Sequence, residues 1–106
     1  MQIGEDLSKK IPSKFKIANH EIEVKMCDHS NDNDFGTWDD VRNVITIYKK
    51  AKMDGEVVEF TQEQILNTFY HELIHCFQFY AGLECDEQIA QVFANFIREY
   101  QTTKKS

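Results

Sequence analysis

Residues 61–80 are written as a helix that is apolar on most sides yet keeps a polar stripe. On a wheel at about 100° per residue, Gln64, Thr68, His71, Glu72, His75 and Gln78 share one arc. Ile65, Leu66, Phe69, Tyr70, Leu73, Ile74, Cys76, Phe77 and Tyr80 fill most of the remainder, so the helix must be buried on several sides. A polar group buried without a partner is costly, which predicts that the stripe lines a cleft. The ends of the helix are also marked. Thr61 followed by Gln64 makes a capping box, Phe60 and Ile65 have the spacing of a hydrophobic staple, and Gly82 stops the helix just after Tyr80.

Within the stripe, His71-Glu72-Leu73-Ile74-His75 places two imidazoles four residues apart. On a helix that spacing amounts to about 6 Å of rise and roughly 40° of rotation, so both rings can reach one metal ion. Glu72 follows the first histidine and points along the same side, where a carboxylate can take a proton from water without being a ligand. This is the chemistry of a zinc site that makes water a nucleophile at about pH 7. The expectation is a Zn2+ cofactor, with His71 and His75 as ligands and Glu72 as general base. A catalytic zinc usually takes a third protein ligand, and here it must come from the chain that follows.

That chain reads as a short connection and a second helix from Asp86, a natural N-cap, to about residue 102. Ile89, Val92, Phe93, Phe96, Ile97 and Tyr100 form its apolar face, expected to pack on the first helix with Ala90 and Ala94 allowing close approach. Glu87 lies at the edge of that face and is the leading candidate for third ligand; Glu84, Cys85 and Asp86 compete with it. Twelve residues separate Glu87 from His75, a tight return for two helices joined head to tail.

Ahead of the main helix the pattern is that of strands. Phe15 and Ile17, then Ile22, Val24 and Met26, alternate with polar residues around a turn at Ala18-Asn19-His20, which leaves His20 facing solvent. Residues 28–34, rich in Asp, Asn and Ser, read as a surface loop carrying His29; Gly36 falls at the wrong offset for a calcium-binding EF-hand. Residues 35–39 are short and extended, 40–43 turn, and the β-branched run 44–48 is a core strand antiparallel to the preceding one. Residues 49–59 are expected to connect to the helix, with a turn at Asp54-Gly55. The segment around Gly36 suits a sheet edge bordering the cleft; the competing expectation is an internal strand with Trp38 in the core. Residues 1–13 read as a loose lead-in and the last few as a frayed end.

At 106 residues and 42% hydrophobic composition, these elements make one domain of α+β class. The net charge of −6 disfavours a nucleic-acid partner, and the small cluster Lys9, Lys10, Lys14 and Lys16 reads as a solvated strand and its approach. No run reaches the roughly 20 apolar residues that span a bilayer. Three cysteines, an odd number, and a polar start without a signal-peptide core point to a reducing, cytoplasmic setting.

Taken together, Gly36-Thr37-Trp38-Asp39, residues 44–47, residues 68–75 and residues 87–94 resemble the small zincin-like metallopeptidases of bacteria and their phages. The nearest look-alikes are compact gluzincins of the SprT-like and ImmA/IrrE-like kind. The resemblance implies a minimal zincin-like fold: a small, mostly antiparallel sheet packed on the H-E-x-x-H helix and a second C-terminal helix. It also implies that E-x-x-A-x-x-F-A, read here from Glu87 to Ala94, supplies the third ligand through Glu87. The zinc ribbon and extra helical domains that often accompany such peptidases are not in these residues, so what they imply about substrate does not transfer. The expected activity is zinc-dependent endopeptidase hydrolysis of a protein or peptide substrate. The alternative is a zinc-binding interaction or regulatory domain without peptidase activity. The oxyanion-stabilising residue is not identifiable, since Tyr48, Tyr80 and Tyr100 read equally well as core.

Overall fold

The computed structural model describes residues 7–30 and 34–105. The chain forms strands β1 (Lys14–Ile17), β2 (His20–Ser30), β3 (Gly36–Asp39), β4 (Val44–Met53) and β5 (Glu56–Glu59), then helices α1 (Gln62–Tyr80) and α2 (Glu87–Thr103). The class is therefore α+β, a five-stranded sheet with a helical hairpin on one face.

Two tight turns set the sheet's hairpins. Ala18 and Asn19 both adopt positive φ between β1 and β2, as do Asp54 and Gly55 between β4 and β5, the conformation a two-residue hairpin loop requires. The second turn corrects the expectation of a plain connection over residues 49–59. β4 runs on to Met53 and folds back as β5, with Lys50 opposite Glu59. Between β3 and β4, Asp39 Oδ1 accepts from the backbone N–H of Val41 and Arg42 at 3.0 and 3.1 Å, which turns the chain and leaves Asn43 in the left-handed region.

The sheet is mostly antiparallel, as expected, in the pairs β1–β2, β3–β4 and β4–β5, but among the described residues it includes one parallel pair, β2–β4. β2 leads past the position of β4 to β3, and β4 then inserts between them, so that β2 and β4 run parallel from Glu23↔Val44 to Ser30↔Ala51 while β3 pairs antiparallel to β4. Asp28, His29 and Ser30 consequently belong to β2 and not to a surface loop; residues 31–33 of that expected loop lie outside the described residues. Leu7–Lys10 form a 3-10 turn and Ile11 packs on the core, so part of the expected loose lead-in is held; residues 1–6 lie outside the description.

The core lies between the sheet and α1. Ile22, Val24, Ile45 and Ile47 point from β2 and β4 onto Leu66, Phe69, Tyr70 and Cys76 of α1. Ile22, Ile45, Ile47, Leu66 and Cys76 are fully enclosed, and deletion to alanine at any of the aliphatic ones would cost about 2–5 kcal/mol. Tyr80 donates to Asn43 Oδ1 and stacks on His20 at 4.4 Å, tying the end of α1 to the β3–β4 turn. His20 is exposed, as expected, but it opens β2 instead of lying in the turn, and one face of its ring stacks on Tyr80.

Candidate metal centre

The caps of α1 are those the sequence calls for. Thr61 Oγ1 accepts from Gln64 N–H at 3.1 Å and Gln64 Oε1 accepts from Thr61 N–H at 2.8 Å. At the other end Gly82 N–H reaches Phe79 O and Leu83 N–H reaches Gln78 O, a Schellman closure made possible by the positive φ of Gly82. Three residues later Asp86 Oδ1 accepts from Ile89 N–H at 3.0 Å and starts α2. The sharp stop and prompt restart bring Glu87, the first residue of α2, back to the level of His75.

There the predicted donors converge. His71 Nε2 lies 3.1 Å from His75 Nε2 and 3.2 Å from Glu87 Oε1, and Glu87 Oε1 also meets His75 Nε2 directly. The atoms around a tetrahedral zinc, each about 2.0–2.1 Å from the ion, stand roughly 3.3 Å apart; the two separations from His71 Nε2 match that spacing, while Glu87 Oε1 and His75 Nε2 lie closer together than an ion between them would hold them. The competitors are placed elsewhere. Asp86 caps α2, Glu84 is exposed beside a different cavity, and Cys85 Sγ approaches the far nitrogen of His75, Nδ1, at 3.4 Å.

The protonation pattern fits a cation as well. His71 Nδ1 faces Gln91 Oε1 at 3.0 Å, and His75 Nδ1 faces Gln78 Oε1 at 3.0 Å. The Gln78 amide is fixed by backbone bonds, its Oε1 accepting from Asp86 N–H and its Nε2 donating to Asp86 C=O, and Gln91 Nε2 donates to Asn95 Oδ1. An amide oxygen only accepts, so each imidazole keeps its proton on Nδ1 and presents a bare Nε2 lone pair. Two such lone pairs and a carboxylate oxygen directed at one point repel unless a positive charge lies among them. Gln91 was missing from the sequence reading, although its position four residues after Glu87 on the same face of α2 signalled it.

Glu72 stands beside this cluster with only 9% of its surface exposed. Burial pushes its carboxyl above the ordinary carboxylate range, with His71 and His75 pulling the other way. Glu87 moves down instead: partial desolvation opposes the shift, but hydrogen bonds and charge from the two histidines outweigh it. The two carboxyls therefore differ in character, Glu72 shifted up by burial and Glu87 shifted down by the histidines.

Thr68, Glu72, His75 and Gln78 are all buried, so most of the polar stripe of α1 is turned inward. Thr68 Oγ1 bonds Gln64 O at 2.9 Å and needs no outside partner. Two cavities meet at Glu72. One, of about 610 Å³, is lined by Phe35, Gly36, His71, Gln91 and Arg98 among others; the second, of about 360 Å³, by Trp38, Asp40, His75 and Glu87. β3 borders both, and among the described residues it pairs with β4 alone. Tyr48 N–H bonds Phe35 O at 3.0 Å, so by the alternation of an antiparallel ladder Gly36 and Trp38 turn their backbone N–H and C=O away from β4. The edge expectation for this segment holds, and Trp38 also packs partly on the core. None of Tyr48, Tyr80 and Tyr100 lines either cavity; the donors around the larger one are Asn67, Asn95, Gln91 and Arg98, with Arg98 held by Asn67 at 3.1 Å and Glu63 at 3.5 Å.

Among the described residues no helix is long and apolar enough to cross a membrane. The chain matches no protein-family model, no curated protein and no solved structure.

Proposed function

We propose that the protein is a zinc-dependent peptidase of the minimal zincin-like kind, with His71, His75 and Glu87 as metal ligands and Glu72 as general base. The observation that carries this reading is the meeting of Nε2 of His71, Nε2 of His75 and Oε1 of Glu87 at one point, beside a buried carboxylate that is not one of the three. A purely structural zinc site would use four protein ligands and have no need of Glu72. When bound there, zinc supplies a Lewis acid that polarises a carbonyl and makes water a nucleophile near neutral pH.

The chain's own groups do the rest. Glu72 accepts the proton released as water attacks and delivers it to the departing amine, which its inward, partly desolvated position favours. Gln91 and Gln78 hold the imidazoles in the tautomer that leaves Nε2 free. A peptide lying along the outward edge of β3 would pair with Gly36 and Trp38 in extended form and run past Glu72 from the larger cavity into the smaller. This geometry favours an unfolded or extended segment of protein as substrate.

The test combines metal content with cleavage. Purified protein should carry about one zinc per chain and cleave an unstructured protein substrate, and Glu72→Gln should keep the zinc and lose the cleavage. Zinc binding with no cleavage by the wild type would leave a metal-binding interaction module; absence of zinc binding would remove the reading altogether.

A further inference from the structure

The sequence predicts that the large apolar residues of α2 pack against α1, and the structure turns them away. Ala90 and Ala94 are the fully buried residues of α2, with Ile97 beside them, while Ile89, Val92, Phe93, Phe96 and Tyr100 are 46–75% exposed. The cause lies in the metal cluster. Presenting Glu87 and Gln91 to the histidines of α1 fixes the rotation of α2, and at that rotation only the alanines can meet α1. The apolar stripe is left on the back of the hairpin, away from the cavity lined by Gln91, Asn95 and Arg98.

We propose that this stripe is the docking surface for a second copy of the chain, packed antiparallel about a two-fold axis. Ile89, Phe93, Phe96 and Tyr100 are spaced by four, three and four residues, the repeat of a helix–helix seam. An axis passing between Ala94 and Asn95 sets Phe93 opposite Phe96 of the second copy and Ile89 opposite Tyr100 in both directions, so the stripe is self-complementary, as a two-fold interface must be. Glu84 and Asp86 precede α2 and Lys104 and Lys105 follow it, so an antiparallel pair brings an acidic end of one copy to a basic end of the other and opposes the two helix dipoles. A groove of about 510 Å³ between Phe77, Leu83, Ile89 and Phe93 lies where Tyr100 of the second copy arrives.

Area supports a stable pair. The exposed parts of the five α2 side chains, with Phe77 and Leu83 at 49% and 56% exposure, offer roughly 600–800 Å² per copy, since an aromatic side chain alone contributes about 150–250 Å². A standard interface buries about 800 Å² per partner. The larger cavity, lined by Gln91, Asn95 and Arg98, lies away from the stripe, and the stripe's exposure rests on the positions of Glu87 and Gln91 against the histidines whether or not a metal is bound.

Sedimentation equilibrium of the whole chain at micromolar concentration tests it. The wild type should have twice the 12.5 kDa chain mass. Phe96→Asp, at a site 75% exposed and thus harmless to the fold by far-UV circular dichroism, should raise the dissociation constant at least a hundredfold, whereas Val41→Asp, at a site 87% exposed in the turn between β3 and β4, should leave the dimer intact. Lys105→Glu should weaken association about tenfold and the added change Glu84→Lys should restore it. A monomeric wild type, a dimer indifferent to Phe96→Asp, or failure of the charge exchange to restore association would each overturn the antiparallel pair.

Discussion

His71 Nδ1 and Gln91 Oε1 meet at 3.0 Å across the helical hairpin, so the second helix holds the ring of His71, the first proposed ligand, while Glu87, one turn earlier, meets the same ring at Nε2. Removing the amide should therefore loosen the site without touching a ligand. Gln91→Ala should weaken zinc binding by about 10–100-fold, the usual effect of losing such a support, and the exposed neighbour Gln88→Ala should not. Competition against a chromophoric chelator measures both, and equal affinities would show that Gln91 does not orient the ring.

The third ligand can be separated from its neighbours in the same assay. Glu87→Ala should lose affinity by well over tenfold, whereas Glu84→Ala should have no effect. Asp86→Ala should lower fold stability by about 1 kcal/mol through loss of its bond to Ile89 N–H, with a smaller effect on zinc. If Cys85→Ala proves the most damaging of the four, the sulfur and not the carboxylate is the ligand.

For the general base, Glu72→Gln should reduce kcat by at least about 100-fold, the scale of general-base assistance, with KM and zinc content little changed. An unaltered kcat for a substrate the wild type cleaves would assign the proton transfer elsewhere.

Gly36 has no room for a side chain. A Cβ built there would lie 2.6 Å from Thr68 Cγ2 and 2.8 Å from Thr46 O, one on α1 and one on β4. Gly36→Ala should push β3 away from α1 and destabilise the fold by about 1–3 kcal/mol in urea unfolding. It should impair peptide cleavage more than zinc binding, because β3 borders the cleft and supplies no ligand.

Burial pushes the Cys76 thiol up to about 11 from its usual 9.0, and Tyr70 is raised in the same way. A thiol that resists ionisation in the folded state contributes its full stability below about pH 9 and loses it as pH rises toward 11. The urea midpoint should thus fall between pH 9 and 11, less steeply in Cys76→Ala. At pH 8 the exposed Cys85 should react with a thiol reagent at once and Cys76 only after unfolding.

What the sequence made legible was local. The capping box at Thr61, the stop at Gly82, the Asp86 cap and the polar stripe of α1 all rest on interactions or spacing within a few residues, and each is found where its residues put it. The parallel pairing of β2 with β4 was hidden because it depends on β4 inserting between two strands, an event with no local signature. β5 was signalled by Asp54-Gly55, but four exposed residues, Glu56–Glu59, carry no alternation between buried and exposed sides to mark a strand. Ala90, Ala94 and Ile97 meet the rest of the fold as expected, but the larger apolar residues Ile89, Val92, Phe93, Phe96 and Tyr100 do not. Contacts of Glu87 and Gln91 with the histidines set the angle, and the apolar residues followed.

The outward edge of β3 has one more consequence. Backbone groups that are free to receive a peptide are equally free to receive a strand of another misfolded chain, the first step toward a fibril. This edge is guarded by brevity and charge: β3 spans only four residues, and it ends at Asp39, with Asp40 following on the exposed turn. An incoming sheet would have to end there or set its own side chains against two carboxylates. A single extended segment can lie across such a short ledge, while a growing stack of strands finds too little length to hold.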